Sequence, residues 1–283
     1  MTNAELPCDL SDLRELVEHK RRIFVLTGAG CSTASGIPDY RGIDGSWKRA
    51  QPMTFQAFTA SPAARRRYWA RSLVGWPVIA QALPNAAHEA LTALQATGRI
   101  SALVTQNVDG LHSKAGADPV IDLHGRLDRI VCLDCGRRDD RARFQAAMMA
   151  SNPSWGSRTA ELAPDGDADL DETDFSCFVV PGCRFCGGTV KPDVVFFGEN
   201  VPRPRVAHAL AALERSDAML VVGSSLTVFS GFRFAREAAR LGLPIASVTL
   251  GRGRADDLLT ARIAGPCDLV LPRIVGEAVG ASN

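Results

Sequence analysis

Short apolar runs alternate along the chain with segments of helical periodicity. Six runs predict strands, at 23–27, 100–106, 119–123, 217–222, 245–250 and 268–271. Most of them are continuously apolar, which is typical of strands buried on both faces and therefore of parallel sheets. Helical patterns lie between them, at roughly 10–20, 86–97, 204–215 and 229–241. This alternation predicts an α/β fold with a doubly wound, Rossmann-like parallel sheet.

Two insertions interrupt the alternation. Residues 49–85 are helical and polar, and residues 126–192 contain paired cysteines and a polar loop at 163–169. We expect both insertions to form a smaller lobe within one domain that spans residues 1–283. The larger lobe would then comprise residues 10–48, 86–125 and 193–283. A crevice between two lobes, at the carboxyl ends of the strands, is the expected ligand site.

The composition of the chain limits which functional classes agree with the sequence. The chain has 283 residues, 46% of them apolar, and a formal net charge of +1. These values indicate a soluble globular protein without a basic surface for nucleic acid. No apolar run approaches the roughly 20 residues that span a bilayer, and the acidic N-terminal segment argues against an export or transit signal. We therefore expect a cytoplasmic monomer with no nucleic-acid or membrane partner.

Four of the eight cysteines form two C-x-x-C pairs, Cys132 with Cys135 and Cys183 with Cys186. Two such pairs complete a tetrahedral shell of four thiolates, which suits a structural Zn²⁺. Four protein ligands leave no open position for a substrate, so the ion is expected to be structural. Disulfides or a redox motif are the alternative, but a chain without an export signal keeps its thiols reduced.

The segment after the first strand is the most informative part of the sequence. Gly28-Ala29-Gly30 follows a buried strand directly, where backbone without Cβ atoms lets several N–H groups converge on a phosphate. The first two glycines fit the dinucleotide-binding fingerprint, but Thr33 occupies the place of the third. The loop then continues through Arg41 instead of entering a helix. We interpret the segment as a nucleotide site with a long covering loop.

Polar side chains follow the next two strands. Gln106, Asn107 and Asp109 come after the second strand, and His124 comes after the third. Because the carboxyl ends of parallel strands meet at one edge, these groups should face the same crevice as the glycine loop. An imidazole suits a general base at neutral pH. Position favours His124 for that role over His112, which we expect to hold the loop.

Two smaller groups complete the candidate site. Gly223-Ser224-Ser225 follows the fourth strand and lacks the Gly-x-Ser-x-Gly elbow of a serine nucleophile. Its hydroxyls are therefore expected to bind a phosphate or a ribose. Cys31 and Cys267 are interpreted as small apolar fillers, and both can line the nucleotide site.

Taken in order, these motifs resemble those of sirtuins, over roughly residues 10–275. The resemblance rests on the glycine loop, 106–109, 123–125, the cysteine pairs, 191–199 and 223–226. It is closer to class II sirtuins, the group with a mitochondrial lipoamidase-type member. Four segments carry that closer likeness, namely 37–41 with Tyr40, 67–71, 74–77 and the loop at 163–167.

The resemblance implies an NAD⁺-dependent deacylase or deacetylase of protein lysine, with NAD⁺ consumed as a co-substrate. It implies that Asn107 and Asp109 hold the ribose and the nicotinamide amide, and that His124 takes a proton from a ribose hydroxyl. The products would be nicotinamide, free lysine and O-acyl-ADP-ribose. The residues implied around NAD⁺ are Gly28, Ala29, Gly30, Ser32, Thr33, Pro38, Asp39, Tyr40, Arg41, Trp47, Gln106, Asn107, Asp109, Gly223, Ser224, Ser225, Thr249, Leu250, Gly251 and Cys267. Sirtuins commonly have asparagine where Thr249 stands, and threonine is shorter.

The resemblance also suggests how an acylated-lysine protein would bind. Residues 193–198 resemble the strand that pairs with the extended substrate backbone, so that Val194, Phe196, Phe197 and Gly198 border the acyl-lysine tunnel. Tyr68-x-x-Arg71 resembles the pair with which class III sirtuins hold an acidic acyl group, since a guanidinium binds a carboxylate in two places. A solvated basic helix face is the alternative for Arg71.

Two other functions stay open at this point. The same crevice could transfer a single ADP-ribose to a protein side chain or to water. The chain could also be a non-catalytic regulator that binds NAD⁺, although the set of His124, Asn107 and Asp109 argues for catalysis.

Overall fold

The computed structural model describes residues 10–40, 42, 46, 48, 52–155, 158, 167–168, 170 and 174–280. Arg41 and Trp47, which are predicted to border the nucleotide, lie outside the described residues, as do residues 163–166 of the polar loop. No α-helix among the described residues is both long and apolar enough to cross a bilayer.

The fold consists of two sheets with helices around them. The strands are β1 (Ile23–Thr27), β2 (Ile100–Thr105), β3 (Val120–Asp122), β4 (Gly125–Cys132), β5 (Arg138–Asp140), β6 (Val190–Val194), β7 (Ala218–Val222), β8 (Ile245–Val248) and β9 (Ala261–Ile263). The α-helices are α1 (Ser11–His19), α2 (Phe55–Ala60), α3 (Pro62–Gln81), α4 (Ala86–Ala96), α5 (Leu111–Lys114), α6 (Arg141–Ser151), α7 (Arg203–Glu214), α8 (Phe229–Arg240) and α9 (Cys267–Gly280).

The larger sheet has six strands in the order β3-β2-β1-β7-β8-β9, and all of its pairings are parallel. Every residue of the central strands β1 and β7 is buried, as expected for strands covered on both faces. Helices α1, α4 and α9 pack against one face, and α7 and α8 pack against the other. The predicted doubly wound α/β sheet is therefore confirmed.

One predicted strand is wrong. Residues 268–271 lie in helix α9, and the sixth strand is β9. The apolar run there is one face of a helix, because Val270, Leu271, Ile274 and Val275 are buried while Leu269 is 43% exposed. A short apolar run looks the same in a buried strand and on one face of a helix. Only the return of apolar residues four positions later, at Ile274 and Val275, distinguishes the helix.

The smaller lobe is built on a three-stranded antiparallel sheet in the order β5-β4-β6, which the sequence analysis did not predict. Helices α2, α3 and α6 pack beside it around a second core that includes Phe58, Trp69 and Phe144. Helix α3 begins where the Ser61 side chain accepts the Ala64 N–H at 3.1 Å. Pro62 follows at the first helical position, where its missing N–H costs no hydrogen bond.

The two sheets join directly at His124. Gly125 has a φ of 84°, and a Cβ atom there would collide with the carbonyl oxygen of Asp193 on β6. The His124 carbonyl accepts the Val195 N–H at 2.7 Å. The chain can therefore turn from β3 into β4 only because residue 125 has no side chain, and this turn brings His124 to the boundary between the lobes.

The four cysteines of the C-x-x-C pairs converge at one end of the smaller sheet. Their sulfur atoms all lie within 4.8 Å of one another. Cys132 Sγ is 3.6 Å from Cys186 Sγ, and Cys135 Sγ is 3.8 Å from Cys183 Sγ. A tetrahedral ion with Zn–S bonds of about 2.3 Å separates its sulfur ligands by about 3.8 Å. The cluster therefore fits one structural Zn²⁺ that ties β4 to the turn before β6.

This geometry predicts that the metal stabilises the smaller lobe. Replacing Cys135 by serine removes one ligand, and we expect the metal content to fall below one ion per chain. A lower thermal midpoint should follow, because structural zinc contributes on the order of 10 kcal/mol in small peptide modules. Metal analysis and thermal unfolding test this. Cys177→Ser is the matched control, since Cys177 is an exposed free cysteine outside the cluster. An unchanged metal content in Cys135→Ser would contradict the assignment.

Candidate active site

A cleft of about 530 Å³ lies between the lobes, at the carboxyl ends of β1, β2, β7 and β8. Its size is that of a small-molecule site. Among the described residues, the predicted nucleotide-site residues that line it are Gly28, Ala29, Gly30, Ser32, Thr33, Pro38, Asp39, Tyr40, Gln106, Asn107, Asp109, Gly223, Ser224, Ser225, Thr249, Leu250, Gly251 and Cys267. His124, Val194, Phe196, Phe197 and Gly198 also line it.

The glycine loop interlocks with the loop that follows β7. A Cβ on Gly28 would lie 2.7 Å from Ser224 Cβ, and a Cβ on Gly30 would lie 3.0 Å from Gly223 Cα. A Cβ on Gly223 would collide with the Cys31 backbone nitrogen. The expectation that the glycine N–H groups converge on a phosphate needs correction, because Gly28 N–H donates to Val222 O at 2.9 Å and Gly30 N–H donates to Gly223 O at 2.8 Å. These glycines are required for loop-to-loop contact.

Asn107 and Asp109 connect the loop after β2 to the glycine loop. Asn107 Nδ2 donates to Gly28 O at 3.1 Å and to Ser32 Oγ at 2.9 Å. Ser32 Oγ in turn donates to Asp109 Oδ2 at 2.8 Å. The second carboxylate oxygen of Asp109 accepts the Leu111 N–H at 2.9 Å. The structure thus brings together three residues that the sequence assigned to one site, and it holds them in a continuous polar network.

The two serines after β7 also line the cleft. Ser224 Oγ accepts a hydrogen bond from Gln106 Nε2 at 2.8 Å, and Ser225 Oγ is 2.9 Å from Thr227 Oγ1. Thr249 reaches the cleft from β8, and its backbone N–H donates to Ile263 O at 3.1 Å. Cys267 lies at the start of α9, where burial raises the pKa of its thiol to about 12. It is therefore a neutral, apolar part of the wall.

His124 is half-buried and lines the cleft. Its Nδ1 lies 2.9 Å from Gln106 O, and its Nε2 lies 2.8 Å from Ser230 Oγ. A carbonyl oxygen can only accept, so Nδ1 carries the proton and Nε2 has the lone pair of a neutral imidazole. Burial lowers the pKa of His124 to about 4; the Gln106 bond acts in the opposite direction, and the Arg205 and Arg233 charges lower it further. The imidazole is therefore a neutral proton acceptor at physiological pH.

A pair of histidines, His88 and His112, lies next to Cys31 of the glycine loop. His112 Nε2 is 2.9 Å from Thr27 Oγ1, and His88 Nδ1 accepts the Asn85 N–H at 3.3 Å within a capping box on α4. Cys31 lies close enough to both rings for the three side chains to form a possible metal-ligand group. Because His88 Nδ1 accepts a hydrogen bond, its proton lies on Nε2 and no lone pair is free there. Burial lowers the pKa of His112 to about 3 and also lowers the pKa of His88, so both rings are neutral at physiological pH.

The smaller lobe supplies the apolar wall of the cleft. Tyr68 from α3 packs edge-on against Phe196, with ring centroids 5.3 Å apart, and both rings line the cleft. Arg71 does not line the described cleft, since its Nε donates to Ala168 O at 2.8 Å and its own carbonyl accepts the Ala168 N–H. Tyr68 therefore lines the cleft, whereas Arg71, one helical turn further along α3, is bonded to Ala168 of the polar loop.

The predicted substrate strand over 193–198 is shorter in the structure, where β6 ends at Val194. A turn follows, in which Phe196 O accepts the Glu199 N–H at 3.0 Å and Phe197 O accepts the Phe55 N–H at 2.9 Å. The ammonium group of Lys191 holds this turn by contacts with Val194 O and Glu199 Oε2. Most of the backbone that the sequence assigned to substrate pairing is thus already bonded within the chain.

Three residues of α8 that line the site were not found by the sequence analysis, namely Phe229, Ser230 and Arg233. The two polar ones lie close to His124. Ser230 contacts His124 directly, and Arg233, one turn further along α8, lines the cleft. Both lie in a segment whose helical periodicity was recognised, but no motif marks a serine or an arginine at a helix start as part of a site. Only the packing of α8 against the strand ends brings these two side chains to His124.

Comparison with known proteins agrees with this arrangement. The sequence model described as "Sir2 family" matches residues 28–230. A Bordetella bronchiseptica protein named NAD-dependent protein deacetylase is 58% identical over 267 residues, which cover 94% of this chain and 97% of the relative. A protein of the same name from Xanthomonas axonopodis pv. citri is 59% identical over 259 residues, which cover 92% of this chain and 88% of the relative.

Solved structures agree as well. A complex described as Sir2 with a p53 peptide and NAD⁺ superposes with a TM-score of 0.75 at 29% identity, covering 97% of this chain and 100% of that one. A structure described as Sir2 bound to acetylated peptide gives 0.73 at 28% identity, with coverage of 97% and 100%. With the family model matched over residues 28–230 and relatives 58% identical along nearly their whole length, the chain belongs to the Sir2 family.

Proposed function

We propose that this chain is an NAD⁺-dependent protein-lysine deacetylase that transfers the acyl group to ADP-ribose and releases nicotinamide. The observation that carries the proposal is the neutral His124 imidazole, whose unprotonated Nε2 borders a cleft of dinucleotide size. The Sir2 relatives named NAD-dependent protein deacetylase support the same activity, and acetylated peptide is bound in a related structure.

In this proposal NAD⁺ is a co-substrate, and its ribose carbon becomes electrophilic as nicotinamide leaves. The acyl oxygen of the substrate attacks that carbon and takes the place of nicotinamide. His124 is the general base: Nε2 removes the proton of a ribose hydroxyl, and the freed oxygen attacks the acyl carbon. Addition of one water and cleavage of the acyl C–N bond then release free lysine and O-acyl-ADP-ribose. The Nδ1–H bond to Gln106 O fixes the tautomer and stabilises the imidazolium as it forms. Asn107 and Asp109 hold the ribose and the nicotinamide amide, a role supported by their fixed positions beside Ser32.

The acylated-lysine protein would enter from the side of the smaller lobe. Val194, Phe196, Phe197 and Gly198 border the cleft there together with Tyr68, which supports an apolar tunnel for the acyl-lysine. The ring contacts of Phe58 with Tyr68 and Phe196 make this wall rigid. An acyl chain would be bound mainly by apolar contact, since aromatic side chains dominate the wall.

Four finer assignments belong to the proposal. The class II subgroup, with its lipoamidase-type member, is supported by Tyr40 and by the segments 67–71 and 74–77. A wider deacylase range is supported by the apolar and aromatic side chains of Val194, Phe196 and Tyr68 along the cleft. The cytoplasmic location and the monomeric state are carried forward as expectations from the sequence. Transfer of a single ADP-ribose to protein is the second candidate activity, since it would use the same cleft.

The first prediction concerns the base. His124→Ala should lower deacetylation by roughly 10²–10⁴-fold, the usual contribution of a general base, while NAD⁺ binding is retained. Mass spectrometry of the products with an acetylated peptide is the measurement, and calorimetric titration of NAD⁺ is the control. O-acetyl-ADP-ribose identifies acyl transfer, and ADP-ribosylated protein would identify the second candidate activity. Unchanged turnover in His124→Ala would exclude this base, and no nicotinamide release from wild type would favour a non-catalytic regulator.

The second prediction concerns pH. Because the base must be neutral and its folded-state pKa is about 4, protonation of His124 should not lower kcat/KM between pH 8 and pH 6. Arg233→Gln removes a cation that lowers this pKa, so the acid limb of kcat/KM should move to higher pH. Arg233→Lys keeps the charge and serves as the control. An acid limb that stays in place or moves to lower pH in Arg233→Gln would contradict the electrostatic role.

The third prediction concerns the acyl group. Since Arg71 is not among the residues that line the described cleft and its Nε is bonded to Ala168 O, Arg71→Ala should leave the ratio of glutaryl to acetyl turnover unchanged and should lower the thermal midpoint. A panel of acetyl, lipoyl, long-chain and glutaryl peptides is the measurement. Selective loss of glutaryl turnover in the variant would show that the guanidinium binds the acyl group instead.

A further inference from the structure

Ser230 is a hydroxyl side chain in direct contact with the proposed base. Its Oγ lies 2.8 Å from His124 Nε2, and both residues line the cleft. Ser230 is the second residue of α8, whose N-cap position is Val228 and whose start has no side-chain cap. The hydroxyl is therefore directed to His124 and not to the helix end.

The hydrogen bond that His124 makes through Nδ1 determines which group is the donor between Ser230 and Nε2. Nδ1 donates its proton to Gln106 O, so a neutral imidazole has a single lone pair, on Nε2. Ser230 O–H must therefore be the donor. The lone pair that would remove a proton from the ribose hydroxyl is the one that Ser230 occupies. One lone pair accepts one strong hydrogen bond, so Ser230 and a substrate hydroxyl are mutually exclusive partners.

The contact is built into the packing of α8. Gly231 follows Ser230, and a Cβ there would collide with Gln106 Oε1. Gln106 is itself fixed, because its Nε2 donates to Ser224 Oγ at 2.8 Å. The Gln106 carbonyl thus accepts the Nδ1–H of His124, and the Gln106 side chain packs against Gly231 of α8. The positions of His124 and of Ser230 therefore both depend on Gln106.

We propose that Ser230 is a positioning residue for His124: its hydroxyl holds Nε2 at the wall of the cleft in the resting enzyme and is replaced there by the ribose hydroxyl of the co-substrate. This inference rests on the proposed function. Until the substrate arrives, the Ser230 bond fixes the orientation of the ring together with the Gln106 bond. No covalent bond is broken in this exchange, because one hydroxyl donor replaces another.

The first arm of the test needs no turnover. The protein has five histidines, so ring ¹⁵N labelling gives a small set of signals, and His124→Asn assigns the relevant one. In Ser230→Ala the Nε2 signal should move toward the position of a nitrogen that accepts no hydrogen bond. A non-hydrolysable NAD⁺ analogue should then shift it back strongly, whereas in wild type the analogue should cause little change, because one donor replaces another.

The second arm measures turnover. Ser230→Ala should lower kcat/KM for NAD⁺ about tenfold, mainly through KM, because the free enzyme loses one of the two hydrogen bonds that orient the ring. The change in kcat should be smaller, since Ser230 is already displaced once the co-substrate is bound. Ser230→Thr keeps the hydroxyl and should recover most of kcat/KM. Ser216→Ala is the matched control, since Ser216 is a buried serine whose hydroxyl bonds to Ala212 O and Ser101, away from the cleft.

The outcomes separate this inference from the proposed function. If wild type forms no O-acetyl-ADP-ribose, the proposed function fails while the ¹⁵N signal still reports on the Ser230 bond. If Ser230→Ala leaves the Nε2 signal unchanged, or if its kcat/KM for NAD⁺ equals that of wild type, the positioning role is overturned. A thermal midpoint close to wild type in Ser230→Ala excludes misfolding as the cause of a lower kcat/KM.

Discussion

The contact between the loops that follow β1 and β7 is the constraint on which the site depends. Gly28, Gly30 and Gly223 approach one another so closely that a Cβ on any of them would meet backbone or Ser224. The Gly28 N–H donates to Val222 O at the end of β7, and the Gly30 N–H donates to Gly223 O. The Gly223 N–H donates to Val248 O at the end of β8. The floor of the cleft is therefore a fixed surface, and the polar groups that rest on it have fixed positions. Close-packed backbone of this kind has little freedom to relax.

Hydrogen bonds among the polar side chains of the cleft fix the positions of those side chains as well. Ser32 joins Asn107 to Asp109, and Gln106 joins Ser224 to His124. Few of these side chains depend on solvent for a partner, so their geometry is set before a ligand binds. Preorganised polar groups of this kind act on developing charge without having to reorient.

The smaller lobe depends on a different constraint. Its antiparallel sheet is short, and the four-cysteine cluster closes one end of it. The other end is Gly125, which turns the chain from the larger sheet and leaves His124 between the lobes. His124 therefore contacts both lobes at once: its ring is held by Gln106, and its carbonyl accepts the Val195 N–H.

The sequence alone determined the parallel sheet, the four metal ligands and the residue types at the strand ends, since apolar runs, C-x-x-C spacing and glycine pairs are local signals. It misassigned residues 268–271, because a short apolar run does not distinguish a strand from a helix. Only the tertiary structure decided that Gly28 and Gly30 serve loop contact, that Arg71 bonds to Ala168, and that Ser230 reaches His124. Each of these depends on contacts between segments far apart in the chain, and no local pattern encodes such contacts.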